Sequence, residues 1–169
     1  MIMSKIIKNQ IKKLVKELVG TDNNKWEFRK IENELRTLRG KELRMAAEIK
    51  EIKEGVKGLF AKRLIEKGKI ILVLKGAFFF YPSRTSIQIG NKHIEDEKGS
   101  YINHHCVPSA EIRAVPNEKS LSGIVTAVHD IKKGEEITFD YETTEKELLC
   151  PFKCDCHGRW ITGKKLKYI

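Results

Sequence analysis

From residue 45 onward the apolar residues come in short runs, AAEIKEI, KIILVLKG, AFFFY, SIQIGN, SGIVTAV and EEITFDY, separated by turns rich in Gly, Pro or charge. Runs of this length, some of them alternating, read as β-strands. Their spacing is too uneven for a barrel of repeats, and no internal repeat or low-complexity linker is visible. A chain of 169 residues suits one domain with an appendage, and it can bury a proper core without disulfide staples.

The first 44 residues have a different texture. Ile7, Ile11, Leu14, Val15 and Leu18 recur at helical spacing over residues 4–19, and Gly20 follows as a stop. After TDNN, where Asp22 or Asn23 can cap, Phe28, Ile31, Leu35 and Leu38 share one face over residues 25–39 before Gly40. These spacings predict a helical hairpin whose apolar stripes pack on each other, on the body or on a partner.

The charge is uneven. The net value is +10, yet residues 55–94 hold eight basic groups and one acidic, while residues 95–149 hold six basic and twelve acidic. Such a division steers anions to one face and cationic peptides to another; a solvated lysine-rich surface explains the total equally well. No apolar run approaches the roughly 20 residues that span a bilayer, and the longest candidate, GKIILVLKGAFFFY, is broken by Lys75 and Gly76. Lysines run through the N-terminal stretch and interrupt the apolar core a secretory signal needs. The expectation is therefore a cytoplasmic protein without a membrane partner, with a nuclear location or export to a host cell left open. Four cysteines, at 106, 150, 154 and 156, fit a reducing compartment, where such a cluster binds metal or does nothing.

Three stretches carry candidate chemistry. In EGVKGLFA, Gly55 and Gly58 let the backbone take positive φ and approach a ligand closely, although two glycines before a strand are usually turn chemistry. In GIVTAVHDIKKGEEITFDY a strand, a turn and a second strand end on Asp140 and Tyr141, and a Tyr at a strand end is most often a packed amphipathic side chain. This stretch also echoes AKRLIEKGKII: a small residue, a polar pair, Leu-Ile or Ile, Lys-Gly, then a strand. In GSYINHHCVPSAEI an Asn, two His and a Cys stand together. Alone, that run could bind metal, hold a cofactor, serve a nucleophilic Cys or make a well-bonded turn. The nucleophile is the poorest of these, because no Asp or Glu is placed by motif to orient a catalytic His.

Taken in order, GVKGLFA, YINHHCVPS, EEITFDY and a Cys-x-Cys tail resemble the SET-domain protein-lysine methyltransferases over roughly residues 46–165. The stretch SIQIGNKHIEDEKGSYINH is similar to what small bacterial-type SET proteins carry before the Asn-His motif. The resemblance implies an α+β protein: a SET-domain β-fold of small mixed sheets over residues 45–149, with a C-terminal pseudoknot. A post-SET-like tail at 150–169 follows, and the N-terminal helical hairpin, residues 1–44, precedes it. It further implies S-adenosylmethionine as cofactor, a lysine-bearing protein or peptide as substrate, and Tyr141 as the catalytic residue. Cofactor contacts fall on Lys57, Gly58, Leu59, Tyr101, Asn103 and His104, with Trp160 as a stacking face. An amide and an imidazole can satisfy the donor and acceptor edges of adenine.

Phe139 stands at the family's Phe/Tyr switch position, and a Phe there implies product beyond monomethyl-lysine. The family's post-SET zinc site uses the Cys of the Asn-His motif and three tail cysteines. Cys106, Cys154 and Cys156 match, but Ile161 occupies the last position, so the fourth ligand would be Cys150 or His157. The chain also has His105 where the family has Ser, Ser109 for its final Asn, and His129 for the usual Arg. The alternative function from a different class is a degenerate SET-fold binding module that engages nucleic acid or a protein partner through its basic surface.

Overall fold

The computed structural model of the protein describes residues 45–116 and 121–164. The helical hairpin expected over residues 4–39 lies outside the described residues. Among the described residues the chain forms short strands in four small sheets, and its only helical pieces are 3-10 turns at Gly99–Tyr101 and Tyr141–Thr143.

The strands follow the apolar runs. A hairpin pairs β1 (Ala47–Lys53) with β2 (Val56–Ala61) around Gly55, whose φ of +74° is the left-handed value a glycine adopts without a Cβ clash. Next come β3 (Ile70–Val73), β4 (Phe78–Phe79), β5 (Ile87–Ile89) and β6 (Lys92–Ile94). The chain continues through β7 (Asn103–His104), β8 (Ala110–Pro116), β9 (Leu121–Ala127) and β10 (Glu136–Phe139). The tail closes with β11 (Phe152–Lys153) and β12 (Trp160–Ile161).

The sheets are ordered β1-β2-β10-β7, β3-β9-β8, β4-β6-β5 and β11-β12. The first is mixed and the other three are antiparallel: β10 runs antiparallel to β2, with Ile137 opposite Leu59, and parallel to β7, with Phe139 opposite His104. The small sheets expected from the sequence are thus present, one of them mixed. Their inward residues form one core in which Leu59, Ile71, Leu72, Val125, Ile131 and Ile137 are completely buried. Each such side chain stabilises by about 1.5–3 kcal/mol relative to exposure.

The two echoing stretches meet. Ile65 and Ile131 form an isolated antiparallel bridge, exchanging N–H···O bonds of 2.9 and 2.8 Å. On either side the bonds are also reciprocal: Gly68 N–H donates to Ala127 O at 2.8 Å, and Gly134 N–H to Ala61 O at 2.7 Å. Similar sequences therefore adopt similar turns and satisfy one another where the chain leaves β2 for β3 and leaves β9 for β10.

Two buried carboxylates are held largely by backbone N–H groups, as burial without a partner would cost about 1–3 kcal/mol. Asp96 accepts from the N–H groups of Lys75, Lys98 and Gly99 at 2.7–2.9 Å and fixes the turn that leads into β7. Glu145 accepts from Gln88 N–H and Thr144 Oγ1, both at 2.8 Å, and Lys146 N–H returns a bond to Gln88 Oε1 at 2.8 Å. These bonds sew the segment after Tyr141 to β5.

Candidate active site

The parallel pairing of β7 with β10 is what brings the distant motifs together. It sets Asn103 beside Thr138 and His104 beside Phe139, and His105 N–H extends the ladder to Phe139 O at 3.1 Å. Tyr141, two residues past the end of β10, reaches back with its side chain to the residue before β7: its hydroxyl donates to Ile102 O at 3.0 Å. Phe139 is buried in the core with its ring 4.6 Å from that of Tyr141. Burial, then the nearby Glu145 and Glu136 carboxylates, push the Tyr141 phenol well above its ordinary value. It stays protonated, so it can donate a hydrogen bond but cannot act as a phenolate.

Gly58 lies across β10 from this pair. It does not take the positive φ that its spacing with Gly55 suggested; it sits inside β2, and its missing side chain matters instead. A Cβ there would stand 2.5 Å from Glu136 Oε1 and 3.1 Å from Asn103 Nδ2. Those two groups are already bonded: the Asn103 amide nitrogen donates to Glu136 Oε1 at 2.8 Å and to Lys57 O at 3.1 Å. Both its hydrogens are thus used within the protein, and its carbonyl oxygen is the atom left to accept from a ligand. Of the predicted glycine-loop contacts, Lys57 supplies a carbonyl, Gly58 lets the Glu136 and Asn103 side chains approach the backbone, and the Leu59 side chain is in the core. Tyr101 is half-buried and packs against the core.

His104 differs from expectation. Its side chain is only 2% exposed, and its ring meets Tyr141 and Phe152 edge-on with centroids 5.4 and 5.6 Å away. Nδ1 accepts from Tyr141 N–H at 3.2 Å, and Nε2 lies 3.3 Å from Cys106 Sγ. Burial, outweighing the opposing pull of Asp140, lowers its pKa and keeps it neutral. With both nitrogens engaged inside, the imidazole is not presented to adenine; it holds Tyr141 against Cys106. His104 can offer a cofactor its backbone.

The cysteines cluster in part. Cys106 Sγ lies 3.5 Å from Cys154 Sγ and 2.8 Å from His157 Nε2. The donor atoms of His104, Cys106 and Cys154 all fall within 4.8 Å of one another. Burial first, then hydrogen bonding with Cys154, pushes the Cys106 thiol up to about 11, and Cys156 adds to that shift. A neutral site without a metal raises a thiol in this way; a divalent cation would reverse it. Of the two candidates for the fourth ligand, His157 is at the cluster, whereas Cys150 is exposed. Ile161, at the family's last cysteine position, is fully buried and pairs with Phe152. Trp160 is 59% exposed, opposite Lys153.

The tail is also fastened to the segment after Tyr141. Arg159 makes a bidentate pair with Glu142, 2.6 Å for each N–H···O bond, the strongest geometry available to a carboxylate and guanidinium. Sequence reading missed this pair and missed Glu136, because neither an isolated Arg nor the second Glu of a Glu-Glu dipeptide announces a partner. It also left His105 and Ser109 without a role. His105 is exposed and its Nδ1 accepts from Val107 N–H at 3.0 Å, a local turn. Ser109 is buried; its hydroxyl donates to Glu136 O at 3.1 Å and accepts from Thr138 N–H at 2.9 Å, clamping β10.

Gly58, Asn103, His104, Phe139 and Tyr141 gather at one sheet end, and the family model described as SET domain matches residues 77–142. The matched span includes Asn103 to Tyr141 but neither Gly58 nor the cysteine tail. Among curated proteins, the human and mouse histone-lysine N-methyltransferase 2D are each 32% identical to it over 82 residues. Human histone-lysine N-methyltransferase 2B is 23% identical over 122 residues, covering 61% of this chain. The 2D matches cover 46% of this chain, and all these alignments span only 1–4% of the relatives' own length. A crystal structure from Plasmodium falciparum, provisionally described as a histone methyltransferase, aligns over 57% of this chain and 92% of its own. Its TM-score is 0.49 at 22% identity.

Proposed function

We propose that this chain transfers a methyl group from S-adenosylmethionine to the side-chain amine of lysine in a protein substrate. The observation that carries the reading is the anchored phenol: Tyr141 donates to Ile102 O, with neutral His104 beneath it and Phe139 beside it. The cradle fits the cofactor. Without a Cβ, Gly58 lets Glu136 and Asn103 close tightly over β2, and the Asn103 carbonyl oxygen remains as an acceptor there. When bound, S-adenosylmethionine supplies the methyl group on a sulfonium, which needs no redox partner.

The protein's task is then alignment and deprotonation. Lysine attacks only as the neutral amine, and with a reference pKa near 10.4 its deprotonation at pH 7 costs about 4.6 kcal/mol. A narrow apolar channel lowers that cost by disfavouring the ammonium. Tyr141, its proton committed to Ile102 O, orients the amine and methyl through the lone pairs of its oxygen. Alignment of this kind is worth up to about 7 kcal/mol. The acidic block of residues 95–149, with twelve acidic groups to six basic, supports a basic peptide as substrate. The same reading includes threading of the C-terminal segment through the loop before it; support comes from β10 lying between β2 and β7. A structural zinc held by Cys106, Cys154, Cys156 and His157 would close the tail beside the site.

Incubation with methyl-labelled cofactor and a whole-cell protein extract tests the proposal, with Tyr141→Phe as control; the absence of labelled protein together with no cofactor binding by calorimetry sinks it. Two further outcomes are expected. Gly58→Ala pushes Glu136 and Asn103 outward rather than breaking the core, because the atoms its Cβ meets are side-chain ends. Cofactor affinity should fall about tenfold or more, the cost of one displaced polar contact, while the melting temperature stays within a few degrees. Phe139 lacks a hydroxyl to anchor water or amine in the pocket, so mass spectrometry of a methylated substrate should find di- or trimethyl-lysine. Phe139→Tyr should shift product to monomethyl; a wild type that makes only monomethyl-lysine refutes this.

A further inference from the structure

Phe78, Phe79, Phe80 and Tyr81 are 37, 42, 73 and 83% exposed. They begin on β4, the outer strand of the β4-β6-β5 sheet, which pairs only through β6. Phe78 and Phe79 point to opposite faces of that strand, as neighbours must, and neither is covered. Four consecutive exposed aromatics on a sheet edge are an aggregation hazard unless they have a use, and the proposed methyl transfer does not use them.

The charge around them is cationic. Exposed Lys75 and Arg84 flank the run, and the Lys92 ammonium lies 5.6 Å from the Phe80 ring centroid. The first acidic side chain after the run, Glu95, is bonded to the Ser83 and Thr85 hydroxyls. Across residues 55–94 Glu66 is the single carboxylate against eight cations. This surface repels a basic, lysine-bearing peptide, so it is not an extension of the substrate site.

We infer that the Phe78–Tyr81 edge, with Lys75, Arg84 and Lys92, binds a single-stranded nucleic acid, its bases stacking on the rings and its phosphates meeting the cations. A polyanion complements the charge, and unpaired bases provide the flat faces that four exposed rings require. A duplex hides those faces, and an acidic peptide does not need them.

Fluorescence anisotropy of the full chain with a labelled oligothymidine, its duplex form and a heparin competitor tests this. The single strand should bind best, with affinity falling steeply as salt rises. Phe80→Ala with Tyr81→Ala should weaken binding at least tenfold, Tyr81→Phe should retain it, and Arg84→Ala should reduce the salt slope. Phe80 and Tyr81 lie outside the core, so these variants keep the fold, and methyl transfer to a free peptide should not change. Equal binding of duplex and single strand, or aromatic variants that bind like wild type, would overturn the inference. So would failure to bind any strand combined with self-association that Tyr81→Asp abolishes, since the edge would then join copies of this chain.

Discussion

Tyr141→Phe is expected to lower methyl transfer by about 100-fold or more, the loss typical when a positioned polar group at a reacting centre is removed, with cofactor affinity changed only a few-fold. The variant keeps the ring that packs on Phe139 and His104 and removes only the hydroxyl that donates to Ile102 O. Its stability cost should be about 1 kcal/mol, one net hydrogen bond. Because burial pushes the phenol up, wild-type activity should show no limb from phenol ionisation below pH 10. Rates should instead rise with pH as substrate lysine loses its proton, in wild type and variant alike. A Tyr141→Phe enzyme that retains more than a third of wild-type kcat would remove the hydroxyl from the mechanism.

The second large effect concerns the cysteine tail. Protein purified without chelator should contain about one zinc per chain, and both Cys106→Ser and His157→Ala should lose most of it. Cys150→Ser should not, since that thiol is exposed whereas His157 Nε2 lies 2.8 Å from Cys106 Sγ. Cobalt substitution gives a second readout, because thiolate-to-cobalt absorption reports sulfur ligation directly. Loss of metal should leave β10 in place and loosen the tail around Cys154, while the Arg159–Glu142 pair and the Leu148 N–H···Thr162 O and Lys164 N–H···Glu145 O bonds still hold its end. Metal-free wild type, with all four cysteines titrating as thiols in native protein, is the contrary result.

The motifs were legible because each is local: a glycine inside VKGLFA, an Asn-His dipeptide, an Asp-Tyr at a strand end. Pairing was harder, because β7 and β10 are distant in sequence and their register depends on which residues the core accepts. AEIRAVP went unread as β8, since its Ala, Ile and Val alternate with charge over too few residues to stand out from the turns around it. His104 was assigned a ligand-facing ring on the strength of its motif. Only the fold reveals that Tyr141 N–H and Cys106 take up both nitrogens. Ile161 is the converse: a missing ligand in the motif becomes an apolar side chain with no exposed surface. Ser109 takes a structural duty that spacing alone does not advertise, tying two points on β10.

The bridge between Ile65 and Ile131 gives the molecule a common pivot. The chain leaves β2 through one side of it and enters β10, which ends two residues before Tyr141, through the other. Since β2 and β10 are themselves hydrogen-bonded, the bridge and the ladder close a single circuit that fixes Gly58's strand against the strand leading to Tyr141.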